Sequence, residues 1–340
     1  NKETIDRFLG YLLRVVDAVL ENREVALKEI DILEASERFD MLETFNGSEV
    51  AYPKDTTVLD LFTAQVTATP NAIAAVFEDQ EMSYEELSQK INGLTKTLLE
   101  RGVKRGDRVV ILIDHSLELL ISLLSVMKCG AAFVPVDVLW PERRIKEIIQ
   151  SVTPKCVIRS KNQKNHIENT IEVDAKAIEP LSTVKESKFQ INDSIYIIFT
   201  SGSQGVPKGV EVTHAGIMNR LFWMNDFFGS STSSAVVQTT RYVFDSMVWQ
   251  LFWPLINGGK TIILPSHLDI IDPVYISSII EKHQVECIDL TPSLFNSLFG
   301  SSEKLSEIKS HLKSLKYVIQ GGEEISKTET ERFMALNPAI

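Results

Sequence analysis

Strand-like and helix-like segments alternate along most of this 340-residue sequence, which predicts an α/β fold of two helix-flanked, largely parallel sheets. Three observations carry the prediction. Short apolar runs of strand length, as at 109–113, recur between segments whose apolar residues fall at three- and four-residue intervals. A balance of 44% apolar and 24% charged residues suits a chain that buries a large core. No internal repeat or low-complexity tract interrupts the pattern.

The elements follow in order. Ile5, Phe8, Leu9, Leu12, Val15, Val16 and Val19 make one stripe of a helix running to about Asn22, and that stripe must pack on something. Residues 24–53 mix apolar pairs with charges and pass through an Asn-Gly and a proline, as a connecting segment does. A helical pattern at Val58, Leu61, Phe62 and Val66 ends at Thr69-Pro70, and 73–77 reads as a strand. Strands are expected again at 107–113, 131–136 and 156–158, with helices at 117–128 and 143–151. A polar stretch, 161–193, then separates a first α/β unit from a second with strands at 194–199, 236–238, 261–264, 287–290 and 317–319. The expected division is 1–52 as a linker, 53–190 as a first subdomain and 191–340 as a second.

Composition excludes several functions. The net charge of −11 repels a polyanionic backbone, so nucleic acid is not an expected partner. Apolar runs fall short of the roughly 20 residues needed to cross a bilayer. The N-terminus lacks the basic start and small-residue cleavage site of a secreted protein, so a cytoplasmic location is expected. Cys129, Cys156 and Cys287 are odd in number and widely spaced, which reads as three buried free thiols rather than a metal or disulfide framework.

The sharpest local signal runs from Ser194 to Gly209, where an apolar strand enters a loop of hydroxyls and glycines that ends at Lys208. Glycines let backbone N–H groups approach a ligand, hydroxyls add donors, and a lysine adds charge, which together suit phosphate. The spacing is not that of a P-loop, because Lys208 follows Gly205-Val-Pro and precedes a glycine.

This loop resembles the Thr-Ser-Gly-Ser-Thr-Gly-x-Pro-Lys-Gly signature of adenylate-forming enzymes, with Gln204 in place of the usual threonine. Met82-Ser-Tyr84-Glu-Glu86-Leu87, the stretch Met127-Lys-Cys-Gly130-Ala-Ala-Phe-Val-Pro135-Val-Asp137, and Phe244-Asp245-Ser246-Met-Val-Trp249 are similar to further signatures of nonribosomal peptide synthetase adenylation domains, in the order of that family. The resemblance extends from about Val58 to the end, and residues 1–52 resemble the segment joining an upstream condensation domain to an adenylation domain. It implies the large N-terminal core of an adenylate-forming enzyme.

The implied reaction joins an amino-acid carboxylate to the α-phosphate of ATP, with Mg²⁺, ahead of loading onto a peptidyl carrier protein. Thr200, Ser201, Gly202, Ser203, Gln204, Gly205 and Lys208 would hold the phosphates, with Thr200, Ser201 and Lys208 acting in catalysis. Gly322 and Glu323 belong to the adenine-facing turn that the resemblance implies. Asp245 is expected to receive the substrate's α-ammonium, although Asp is also a good helix N-cap. Ser246, Trp249, Asp289, Ile319 and Gly321 would line the side-chain site. A carboxylate at Asp289 favours a cationic side chain such as Lys, ornithine or Arg, with an amide side chain second, and the competing reading is that Asp289 bonds to backbone or water within the fold.

The family's next signature, its ribose-binding aspartate and its small C-terminal domain with a catalytic lysine are not found in the sequence, so the 340 residues alone are expected to be a poor catalyst. Two other readings stay open: an acyl-CoA ligase relative sharing the loop chemistry, and a non-catalytic module that binds a nucleotide or serves in docking.

Overall fold

The N-terminal apolar stripe folds as helix α1 (Lys2–Glu21), capped by Asn1, whose side chain accepts from the Glu3 N–H. The computed structural model describes residues 1–47, 49–161, 167, 169–184, 190–200, 207–229, 234–266 and 272–337. Helix α1 meets α2 (Ala35–Leu42) through the Arg14–Glu34 ion pair at 2.9 Å and a hydrogen bond from the Tyr11 hydroxyl to Glu37. These helices belong to one compact unit, Asn1–Tyr52, and Pro53–Ile340 forms another.

The larger unit opens on a capping box at Thr57 and Asp60, which starts α3 (Val58–Ala68). The hairpin strands β1 (Ile73–Phe77) and β2 (Gln80–Ser83) follow, and a second box between Ser83 and Glu86 starts α4 (Tyr84–Glu100). The chain continues through β3 (Arg108–Leu112), α5 (Leu117–Lys128), β4 (Ala132–Pro135), α6 (Glu142–Val152), β5 (Cys156–Ser160) and β6 (Thr170–Val173). Next come β7 (Ser194–Thr200), β8 (Lys208–Thr213), α7 (His214–Phe228), β9 (Ala235–Gln238), α8 (Ser246–Ile256) and β10 (Lys260–Ile263). The last elements are α9 (Pro273–His283), β11 (Cys287–Leu290), α10 (Pro292–Phe299), α11 (Ser302–Ile308), β12 (Tyr317–Gln320) and α12 (Lys327–Leu336).

Among the described residues the strands form two sheets, in the orders β12-β11-β9-β10-β1-β2 and β6-β5-β3-β4-β7-β8. Each is parallel except for its edge hairpin, β1 with β2 and β7 with β8. Period-two alternation divides the central strands between two cores: Val109 and Ile111 of β3 face a central cluster, Val110 and Leu112 an outer one formed with Ile145, Ile148 and Val152 of α6. Helix α5, apolar all round and almost wholly buried, touches β1 of one sheet and β3 and β4 of the other. On the far face of the first sheet, Ile276, Ile280, Phe295, Phe299 and Phe333 from α9, α10 and α12 close a separate core.

The expected boundary at 190 does not divide the sheets. Strands β1 and β2 join the sheet built otherwise from 235–320, while β7 and β8 complete the sheet built from 108–173. The reason is pairing between distant segments, as in the parallel register of Ala75 with Thr261. The polar stretch expected between 161 and 193 also contributes a strand, since β6 pairs with β5. Cys129, Cys156 and Cys287 are buried free thiols as expected, and burial pushes the first two up to about 12 and about 11 and the third upward as well.

Candidate active site

Strand β7 carries five consecutive buried residues from Ile195 to Phe199 and then surfaces at Thr200. The chain returns along β8, antiparallel, so that Thr200 lies opposite Lys208, and the Thr200 hydroxyl donates to the Lys208 carbonyl at 3.5 Å. Both ends of the candidate phosphate loop are thereby held together at one sheet edge. Ser201, Gly202, Ser203, Gln204 and Gly205 lie outside the described residues. Strand β8 itself escaped sequence reasoning, although Val210 and Val212 alternate with polar neighbours. Gly209 is required by close approach: a Cβ there would stand 2.8 Å from Ile197 Cγ2 and 3.2 Å from Phe199 Cζ.

A cavity of about 700 Å³ runs from Thr200 to Asp245, walled by Tyr196, Ile198, Arg144 and Arg241 among others. The Arg144 guanidinium sits 4.0 Å over the Trp140 ring on this wall. The segment leading to Asp245 is pinned to the end of β4. Arg241 pairs with the buried Asp137 at 2.6 Å, and the Tyr242 hydroxyl accepts from the Val138 N–H at 2.9 Å while donating to the Val136 carbonyl at 3.3 Å. Asp245 occupies the N-cap position of α8 without a capping hydrogen bond from its side chain, so its exposed carboxylate is not spent on the helix. Burial and then the Asp245 charge push the Tyr196 phenol up to about 12.

Asp289 and Ile319 are register partners on the parallel strands β11 and β12 and so share one face. Gly321 follows on that face, and a Cβ built on it meets nothing within 4 Å. Burial raises the Asp289 carboxyl above the usual carboxylate range, opposed by a hydrogen bond from Gln250 and by the Arg220 charge, and reinforced by Asp245. Asp245 and Asp289 are thus within electrostatic reach of each other. The Gln250 Nε2 group donates to Asp289 Oδ2 at 3.1 Å, so the expected alternative of a bond within the fold is present at one oxygen. Ser246 begins α8, and Trp249 is 5% exposed, packed into the central core near Trp253.

Gly322 turns at φ +87°, which a side chain would resist, and Glu323 beyond it accepts from the Ser293 N–H at 2.9 Å and from the Ser293 hydroxyl. Those bonds hold the Glu323 carboxyl below its ordinary range. Its carboxylate is therefore engaged at the start of α10. Gln250, Arg220 and Tyr196 were not singled out from sequence, and no local motif distinguishes them. Among the described residues no group of three or more His, Cys, Asp or Glu side chains could hold a metal ion. No helix among them is long and apolar enough to cross a membrane.

The chain belongs to the AMP-binding enzyme family, whose profile matches residues 62–340. Against gramicidin S synthase 2 of Brevibacillus brevis it is 30% identical over 351 residues, covering 100% of this chain and 8% of that protein. It is 31% identical over 335 residues to bacitracin synthase 3 of Bacillus licheniformis, covering 96% of this chain and 5% of that one. The chain thus spans only a small part of the length of the curated relatives it matches. A structure of the nonribosomal peptide synthetase FmoA3 in its alpha-methyl-L-serine-AMP bound form superposes with a TM-score of 0.83 at 22% identity, covering 99% of this chain and 38% of that one. The NpsA N-terminal subdomain of Klebsiella oxytoca, in complex with 3-hydroxybenzoyl-AMSN, gives a TM-score of 0.71 at 25% identity over 82% of this chain and 70% of that one. Both sheets and their helices agree with the fold expected from the sequence.

Proposed function

We propose that this chain contributes the ATP- and amino-acid-binding core of an enzyme that activates an α-amino acid as its aminoacyl-adenylate, for loading onto a carrier-protein thiol in nonribosomal peptide synthesis. The observation that carries the reading is the cavity joining Thr200, at the mouth of the phosphate loop, to the uncommitted carboxylate of Asp245. A carboxylate oxygen of the amino acid attacks the α-phosphorus of ATP, the bond to the bridging oxygen breaks, and pyrophosphate leaves with that electron pair. Two anions have to meet. Thr200, Ser201 and Lys208 act as catalytic residues by donating to phosphate oxygens as charge builds on the departing pyrophosphate, with Gly202, Ser203, Gln204 and Gly205 supplying the loop around them. Asp245 accepts from the α-ammonium and so selects amino acids over plain acids.

The Thr200 hydroxyl and the Lys208 amine, on register partners at the end of the β7–β8 pair, are donors of the kind that ATP's phosphates require. Among the described residues, no three His, Cys, Asp or Glu side chains converge to hold Mg²⁺. Ser246, Trp249, Asp289, Ile319 and Gly321 form the side-chain site, with Gly322 and Glu323 on the adenine side. The Asp289 carboxylate favours a cationic side chain, tempered by Arg220 close enough to act on its charge. An upstream condensation domain, reached through residues 1–52, and a peptidyl carrier protein are the partners of such a core. The reaction belongs in the cytoplasm, where ATP and three reduced buried thiols are both at home.

Amino-acid-dependent exchange of pyrophosphate into ATP by the protein that carries this chain tests the reading. Exchange is expected with one amino acid or a narrow set. Asp245→Ala should lower kcat/KM by ~10- to 100-fold, the worth of a hydrogen bond to a charged group. Wild-type protein that binds ATP yet exchanges with no amino acid would refute the assignment.

A further inference from the structure

We propose that Gln250 is a positioning residue that sets side-chain selectivity, holding the Asp289 carboxylate through an amide whose own orientation is dictated by backbone N–H groups. The inference rests on the amino-acid-activating reading above and assigns one further residue to that site. Gln250 is completely buried on α8. Its Oε1 accepts from the Thr239 and Thr240 N–H groups, each at 3.1 Å. A backbone N–H can only donate, so the amide oxygen must face the exit of β9 and the amide nitrogen must face the other way. Nε2 then donates to Thr240 Oγ1 at 2.8 Å and to Asp289 Oδ2 at 3.1 Å, with a longer contact to Thr239 Oγ1 at 3.4 Å. Every donor and acceptor of the amide is used.

Two consequences follow for the pocket. An amide N–H offers Asp289 only a donor, which favours the ionised carboxylate against the burial that disfavours it. The same amide grips Thr239 and Thr240, and the next residue, Arg241, pins the chain to Asp137 before it presents Asp245. One side chain therefore fixes the carboxylate of the side-chain site and the segment that delivers the partner of the α-ammonium. The charged groups acting on Asp289 are Arg220 from α7 and Asp245 ahead of α8, while the buried thiol of Cys287 on its own strand is itself pushed up by burial and by the Asp289 charge.

Gln250→Glu separates this role from a purely structural one, because a glutamate keeps an acceptor for the two backbone N–H groups but turns an oxygen toward Asp289. The two carboxylates must then share a proton. In pyrophosphate exchange by the protein carrying this chain, Q250E is expected to shift the kcat/KM ratio of cationic to neutral amino acids by about tenfold or more, the size of one hydrogen bond to a charged group, chiefly through KM. Its pH profile for cationic substrates should move upward. The swapped pair Q250E/D289N reverses donor and acceptor across the same contact and is expected to recover stability and exchange with neutral amino acids but not the cationic preference, which needs the carboxylate at 289, so that the two changes are strongly non-additive. An equal fall for every amino acid, or simple additivity with D289N, would overturn the proposal. Should Q250E fail to fold, a folded and active swapped pair still supports the coupling, whereas failure of both makes Gln250 a mere pin for the β9 exit and overturns it. Wild-type silence across the amino-acid panel removes the underlying reading and this inference with it, while wild-type exchange with an unchanged Q250E ranking removes the inference alone.

Discussion

At the scale of single residues, His214 shows how burial becomes a pH response. Its imidazole is 1% exposed at the start of α7, and desolvation lowers its pKa from 6.5 to about 4. Between those values the unfolded chain binds a proton that the folded chain refuses, so the stabilising contribution is complete above pH 6.5 and is lost as pH falls. By pH 4 the loss should reach ~3 kcal/mol. Urea midpoints measured at pH 7 and pH 4.5 should therefore converge in His214→Gln relative to wild type; equal pH sensitivity in both proteins would count against the assignment. Among the residues of the proposed site, Asp245 and Asp289 were singled out through the family resemblance, not through periodicity or spacing. Gln250 was not, since an amide within an apolar helix carries no sign that two distant backbone N–H groups will fix its orientation. The three cysteines were legible from number and spacing alone.

At the scale of elements, the β7–β8 pair ties packing to the proposed phosphate site. Gly209 lies against Ile197 and Phe199 across the strand pair, next to Lys208. Gly209→Ala should cost roughly 1–3 kcal/mol by overpacking and, by displacing Lys208, weaken ATP binding in the same variant. Thermal melting and nucleotide titration check the two effects separately, and a variant with unchanged Tm would show that the edge can yield. Helix α5 and strands β1 and β11 were readable to the residue because continuous apolar runs bounded by polar residues fix their limits. Strands β2, β6 and β8 were not. Each is short or exposed, with residues such as Glu81, Glu172 and Glu211 that describe a solvated edge rather than a buried run.

At the scale of the whole molecule, the two sheets share their central core, so they should unfold together. Tyr84 is part of the tie: fully buried at the start of α4, its hydroxyl donates to the Gly259 carbonyl at 2.8 Å and the Leu255 carbonyl at 3.1 Å, at the junction of α8 and β10. Tyr84→Phe is expected to cost about 1–3 kcal/mol by leaving a buried carbonyl unsatisfied, with a single calorimetric transition retained. Two separated transitions would mean that the sheets melt independently. The alternation of strands and helices foretold both sheets, but which strand joined which sheet was hidden, because β1 pairs with β10 across most of the second sheet's sequence. That crossing matters while the chain is being made. Strands β3 to β8 can close their sheet as soon as they leave the ribosome, whereas β1, made before them, must keep an unfilled apolar edge until β10 arrives. Of the strands in these two sheets, the earliest made is thus among the last to be completed.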